Sequence, residues 1–263
     1  MRRWSAPLML ALLIAGCGEA PKAASKPAAN ATADATAAAE TQPRDLTLKA
    51  ADGAQVFARY YPATRPKALL LLFHQAGASK DEYAPIAPRL AADGYAALAV
   101  DARAGGDLFG PNQTVQALGH AGDYAEARQD LQAAIDWAQG QKLPVFLWGS
   151  SYSSALVFPL AAANKGKVAG VLAFSPNEYL GSGDPVKTAA GRLDVPVFVT
   201  AANDAEEVSG AQAIIGGMAP GRATFYKPEA GVHGASTLRE DRNPKGWRAN
   251  FAAVEAWLKK AVS

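Results

Sequence analysis

Cysteine is almost absent from this 263-residue chain: Cys17 stands alone, so no intramolecular disulfide can form. An excess of either charge is missing too. Without residues 1–16, which carry two arginines and no acid, basic and acidic side chains balance at 24 each. A polyanion-binding protein shows a basic excess or a basic stripe, and neither is visible here, so no nucleic-acid partner is expected. The sequence contains no His-Glu-x-x-His, no calcium loop and no nucleotide-binding glycine loop, and no metal or organic cofactor is expected. Residues 18–43 hold no Leu, Ile, Val, Phe, Tyr, Trp or Met. Such a segment cannot bury enough apolar surface to offset its ordering entropy, and reads as a tether with a coil reach of roughly 25–30 Å.

Ahead of that tether, Arg2 and Arg3 precede an uncharged apolar run over residues 6–16, too short to span a bilayer and patterned like a secretory signal. Its end, Leu13-Ile14-Ala15-Gly16-Cys17, resembles a bacterial lipoprotein processing box. That resemblance implies removal of residues 1–16, a lipid on Cys17, and a membrane-attached, water-facing protein in the cell envelope. Gly18 lacks the aspartate associated with inner-membrane retention, which leans the expectation toward the periplasmic face of the outer membrane. The organisation expected is signal 1–16, lipidated cysteine and tether 17–43, and one folded domain over 44–263, long enough for a substantial core.

Within that domain, residues 46–49 and 55–61 flank Asp52-Gly53 and read as an opening hairpin. Uninterrupted apolar runs at 68–73, 95–100, 145–148 and 168–174 suit strands covered on both faces. Further strands are expected at 195–200 and 223–226. Helices are expected at 83–92, 124–138, 152–163 and 247–260; in the second, Ala127, Leu131, Ala134, Ile135 and Ala138 recur on one face. Residues 105–123 read as a glycine-rich loop, and the connection 176–193 is too short for a large cap domain. The alternation predicts an α/β fold, a mostly parallel sheet with helices on both faces, whose ligands bind beyond the carboxyl ends of the strands.

Gly149-Ser150-Ser151-Tyr152-Ser153 falls at one of those strand ends. A serine between small residues can occupy a strained strand-to-helix turn that lifts its hydroxyl above the sheet. Asp204 and then His233, in Gly231-Val232-His233-Gly234, follow downstream. Together with Phe73-His74-Gln75-Ala76-Gly77 and Asp101-Ala102-Arg103, these pieces resemble, in order, the α/β-hydrolase superfamily and its dienelactone-hydrolase-like members. Ser153 stands where the usual elbow has glycine, and Gln75 replaces the glycine common after the first histidine.

The resemblance implies a serine hydrolase, with Ser151 as nucleophile, His233 as base and Asp204, after the strand at 195–200, as the acid. Its neighbours Glu206 and Glu207 are alternatives, although Asn203-Asp204 fits the turn better, and Glu178, after the preceding strand, is another position that some superfamily members use. The oxyanion donors expected are the backbone N–H of Tyr152 and that of Ala76, with Gln75 as second choice. His74 is expected to scaffold its loop and His120 to be exposed; Tyr124 and Tyr179 are pocket candidates, with core packing or surface exposure the leading expectation for each. The reaction implied is cleavage of a small carboxyl ester through an acyl-enzyme. A peptidase, thioesterase or lactone hydrolase uses the same chemistry, and an inactive binding lipoprotein with this fold is the alternative from another class.

Overall fold

The computed structural model describes residues 42–263. The expected signal, Cys17 and all but the last two residues of the tether lie outside the described residues. Eight strands form one sheet: β1 Arg44–Lys49, β2 Gln55–Tyr61, β3 Ala68–Phe73, β4 Tyr95–Val100, β5 Val145–Ser150, β6 Gly170–Phe174, β7 Val197–Thr200 and β8 Ala223–Tyr226. Their spatial order is β1-β2-β4-β3-β5-β6-β7-β8. The hairpin β1–β2 and the β2–β4 pairing are antiparallel, and every pairing from β4 to β8 is parallel.

Alternate residues of the buried strands serve two cores. Leu69, Leu71 and Phe73 point to one face with Leu147, Val171 and Val199; there they meet helices α3 Tyr124–Ala138, α4 Tyr152–Ala163, α5 Pro185–Ala190 and α6 Ala205–Ile215. Leu70 and Leu72 point the other way with Trp148, Phe174 and Phe198, against α1 Ala87–Ala92 and α7 Trp247–Ala261. The two-sided burial explains why these strands read as apolar runs without alternation. The remaining helix, α2 Gln113–Leu118, precedes α3.

Four helical elements differ from the sequence reading. The helix expected over 83–92 is a 3₁₀ turn, Lys80–Tyr83, followed by α1, which carries Pro88 in its first turn, where a missing N–H costs nothing. The loop expected over 105–123 contains α2, capped by the Asn112 side chain on Val115 N–H (2.9 Å) and ended by Gly119 at φ 80°. Helices α5 and α6 were not anticipated; the first is only six residues long, too few to display a helical period. The helix at 124–138 has the bounds expected, fixed by a capping box in which Asp123 and Glu126 each bond the other's backbone N–H.

The chain leaves the sheet centre in opposite directions after β3: β4 lies on one side of it and β5 on the other. Phe73, the last residue of β3, pairs with Gly149 near the end of β5. The loop carrying Ala76 and the turn carrying Ser151 therefore begin side by side, at the point of an open α/β sheet where ligands bind. Buried ion pairs brace the loops beneath. Lys80 Nζ lies 2.8 Å from Asp101 Oδ2, and Arg103 Nη2 lies 2.7 Å from Asp130 Oδ1.

Candidate active site

Ser151 sits between β5 and α4 at φ 57°, ψ −121°, a conformation unfavourable for a residue with a side chain. The surroundings hold it there. Its N–H donates to Phe174 O at 2.9 Å. A Cβ on Gly149 would stand 2.5 Å from Ser153 O and from the backbone of Ser154, so only glycine permits the turn to pack this closely. Ser153, the departure from the usual glycine, fits without distortion: its Oγ accepts the Ser150 N–H at 2.8 Å and lies 2.8 Å from Phe73 O. The hydroxyl thus ties the turn to the end of β3.

Two backbone donors expected to serve the site have no hydrogen-bond acceptor among the described residues. Tyr152 begins α4, where the first N–H groups have no intrahelical acceptor. Ala76 is exposed, and its N–H makes no hydrogen bond among the described residues. The N–H of Gln75, in contrast, is engaged by Glu82 Oε2 at 2.8 Å. His74 is fully buried, with Nδ1 2.8 Å from Gln75 O while Nε2 accepts the Ala102 N–H at 2.9 Å; burial holds its pKa below the usual histidine value. Its neutral ring staples the loops after β3 and β4. His120 is exposed.

His233 lies on the loop after β8, with its Nδ1 2.6 Å from Glu207 Oε1. The hydrogen bond that His233 donates to Glu207, together with the carboxylate's charge, raises the His233 pKa despite partial burial. For Glu207, burial alone would push the carboxyl up. Hydrogen bonds from His233, from the Ser175 hydroxyl and from the Ala202 N–H (2.8 Å) outweigh it and hold the group at about 2.

Asp204, expected to orient His233, does not make that contact. It is the N-cap of α6, and its Oδ1 accepts the Glu207 N–H at 2.9 Å. The reason is helical geometry. A cap residue is committed to the helix N–H groups, while the side chain three positions on reaches back toward the preceding strand, where His233 stands. Asp204-Ala205-Glu206-Glu207 carries that capping signature in the sequence. Glu206 is exposed, and Glu178 binds the N–H groups of Val186 (2.9 Å) and Lys187 (2.8 Å) at the start of α5.

A cleft of about 510 Å³ lies along α4, lined by Tyr124, Arg128, Leu156, Pro159, Tyr179 and Leu180. Tyr124 stacks on Tyr152, with ring centroids 4.5 Å apart and planes 17° apart. Burial raises the Tyr179 pKa, with the charge of Glu207 adding to the rise and the Ser151 side chain partly offsetting it. Leu156 stands one helical turn beyond Tyr152, so the cleft runs along α4 away from the turn.

A strained serine at the end of β5, and a histidine paired with a carboxylate on a loop bonded to the neighbouring Ser150, mark the carboxyl end of this α/β sheet as the candidate site. The chain belongs to the α/β-hydrolase family described as serine aminopeptidase S33, whose model matches residues 64–211. Human monoglyceride lipase is 32% identical over 129 residues, a match covering 48% of this chain and 41% of that protein. Among solved structures, the esterase domain of a Rhodothermus marinus protein aligns with a TM-score of 0.61 at 18% identity, over 84% of this chain and all of that one. Dienelactone hydrolase from Anabaena variabilis aligns with a TM-score of 0.64 at 16% identity, over 84% of this chain and 98% of that one. At such identities the two structures establish the shared fold.

Proposed function

We propose that this protein hydrolyses carboxylic esters through an acyl-enzyme on Ser151. His233, held by Glu207 through Nδ1, takes the Ser151 proton at Nε2 as the hydroxyl attacks the ester carbonyl, then delivers it to the leaving alcohol. The N–H groups of Tyr152 and Ala76 receive the developing oxyanion. Water, activated by the same imidazole, releases the acid and restores the serine. The observation that carries this reading is the strained Ser151 turn, kept by close packing around Gly149, with a Glu207-paired His233 on the loop that bonds the adjacent Ser150. An inactive binding protein has no use for a serine in that conformation.

The cleft lined by Tyr124, Leu156, Tyr179 and Leu180 suits an apolar acyl or alcohol group of modest size. Ester rather than peptide cleavage is favoured by the likeness to monoglyceride lipase. The test is turnover of a panel of p-nitrophenyl and glyceryl esters beside aminoacyl anilides. Ester turnover that vanishes in Ser151→Ala supports the reading, whereas anilide turnover without ester turnover overturns it.

A lipid anchor completes the proposal. The Leu13-Ile14-Ala15-Gly16-Cys17 run supports lipidation of Cys17 and placement in a bacterial cell envelope, with the catalytic domain tethered to a membrane. Lipid labelling that disappears in Cys17→Ser supports the anchor, and unchanged labelling refutes it.

A further inference from the structure

Beneath the site lies a carboxylate that the triad does not use. Glu82, in the 3₁₀ turn Lys80–Tyr83, is fully buried. Its Oε2 accepts the N–H of Gln75, the residue before Ala76, at 2.8 Å. Its Oε1 accepts the hydroxyl of Ser150, the residue before Ser151, at 2.8 Å. The Ser150 Oγ in turn accepts the N–H of Ala235, two residues beyond His233, at 2.8 Å. Arg239 fixes the turn itself, with Nη1 2.8 Å from Glu82 O and 3.1 Å from Asp81 O.

The histidine loop is therefore gripped twice. The Gly234 N–H ends on the Ser175 hydroxyl at 2.9 Å, and the Ala235 N–H ends on the Ser150 hydroxyl, which bonds Glu82. Glu207 touches the imidazole, and Glu82 touches the loop of Ala76. A buried carboxylate is costly in lost hydration, and a fold that needed only to fill this space would be better served by an apolar side chain.

We propose that Glu82, as a carboxylate, is a positioning residue for acyl transfer, setting the Ala76 N–H through Gln75 and the His233 loop through Ser150 in one geometry around Ser151. It rests on the ester-hydrolase reading above. The charged and titratable groups around Glu82 are His233 on its loop, Arg239 beyond it, Tyr83 in the same turn and Tyr152 on α4. Burial raises the Glu82 pKa to about 7, against the hydrogen bonds from Gln75 and Ser150 and the charges of Arg239 and His233. A protonated Glu82 donates to Ser150 instead of accepting from it, so the Ser150 hydroxyl must turn its own proton elsewhere. The grip on the Ala235 side then changes within the neutral pH range.

Glu82→Gln keeps the volume and imitates the protonated form. With p-nitrophenyl acetate at pH 8, kcat is expected to fall about 10–100-fold while KM stays within about threefold, the magnitude for loss of support to a catalytic constellation. The ratio of wild type to variant is expected to approach one as the pH drops below 7. The second readout needs no turnover: the ¹⁵N amide shifts of Gln75 and Ala235 titrate together near pH 7 in the wild type and stay flat in Glu82→Gln. If that variant fails to fold, Ser150→Ala is expected to lose the Ala235 titration and retain that of Gln75. A ratio of one at pH 8, or amides that do not titrate together in a wild type that turns over ester, overturns the role of Glu82 alone. A wild type without ester turnover overturns the ester-hydrolase reading and the positioning role with it.

Discussion

His233 Nδ1 lies 2.6 Å from Glu207 Oε1, while Asp204, three residues earlier, commits its carboxylate to the N–H of that same Glu207. Two acids at the end of β7 thus divide the work: one starts the helix and the other orients the imidazole. The division is a consequence of α6 starting at Ala205, which puts Glu207 one turn inside and facing back toward β7.

Substitution separates the two acids. Glu207→Gln is expected to lower the rate of single-turnover acylation by up to about 10⁴-fold, because the wrong imidazole tautomer is then favoured. Asp204→Asn retains a good N-cap and is expected to leave the rate within about threefold and the melting temperature unchanged. The opposite pattern would return the acid to Asp204.

The pH dependence follows from the same pair. Attack needs neutral His233, whose pKa is raised by its hydrogen bond to the Glu207 carboxylate, so activity is expected to rise with pH through a midpoint above 6.5. Replacing Glu207 by Gln removes the partner and should move that midpoint down. A pH–rate profile of both proteins measures it.

Stability responds to two carboxylates with opposite signs. Glu207, held at about 2 against an ordinary 4.5, contributes stability that is complete above pH 4.5 and lost as the pH falls toward 2. Glu82, raised to about 7 by burial, keeps its proton in the folded state after the unfolded chain has released its own, so stability declines as pH rises from 4.5 to 7. Urea unfolding across pH should show the acid-side loss flattened in Glu207→Gln and the neutral-side loss flattened in Glu82→Gln.

The turn itself gives a steric prediction. In Gly149→Ala the new methyl would overlap Ser153 O and the Ser154 backbone at 2.5 Å. Overpacking of this kind costs about 1–3 kcal/mol and displaces Ser151, so acylation is expected to fall more than tenfold in a protein that still folds. A thermal melt beside the acylation rate checks both effects.

Much of this arrangement is visible in the amino-acid order. The run Leu69 to Phe73 has no alternation because both of its faces are covered, and the turn at Ser151 is marked by Gly149 and by the strand before it. The short helix at Gln113 escapes detection because six residues show no periodicity, although Asn112 and Gly119 mark its ends. Glu207 escapes for a different reason. Which acid meets His233 depends on where α6 begins, and the Asp204-x-x-Glu207 capping signature carries that information one step removed from the catalytic pattern. Glu82 has no local signature, since its partners Gln75, Ser150 and Ala235 converge on it from distant loops.

The central claim is that Ser151 is an activated nucleophile, and covalent labelling tests it most directly. A fluorophosphonate incubated with the folded protein at pH 8 is expected to modify Ser151, identified by mass spectrometry of the peptide spanning the β5–α4 turn. Labelling should vanish in Ser151→Ala and slow severely in His233→Ala. A folded wild-type protein that takes up no label, or takes it up at a serine other than Ser151, would contradict the claim.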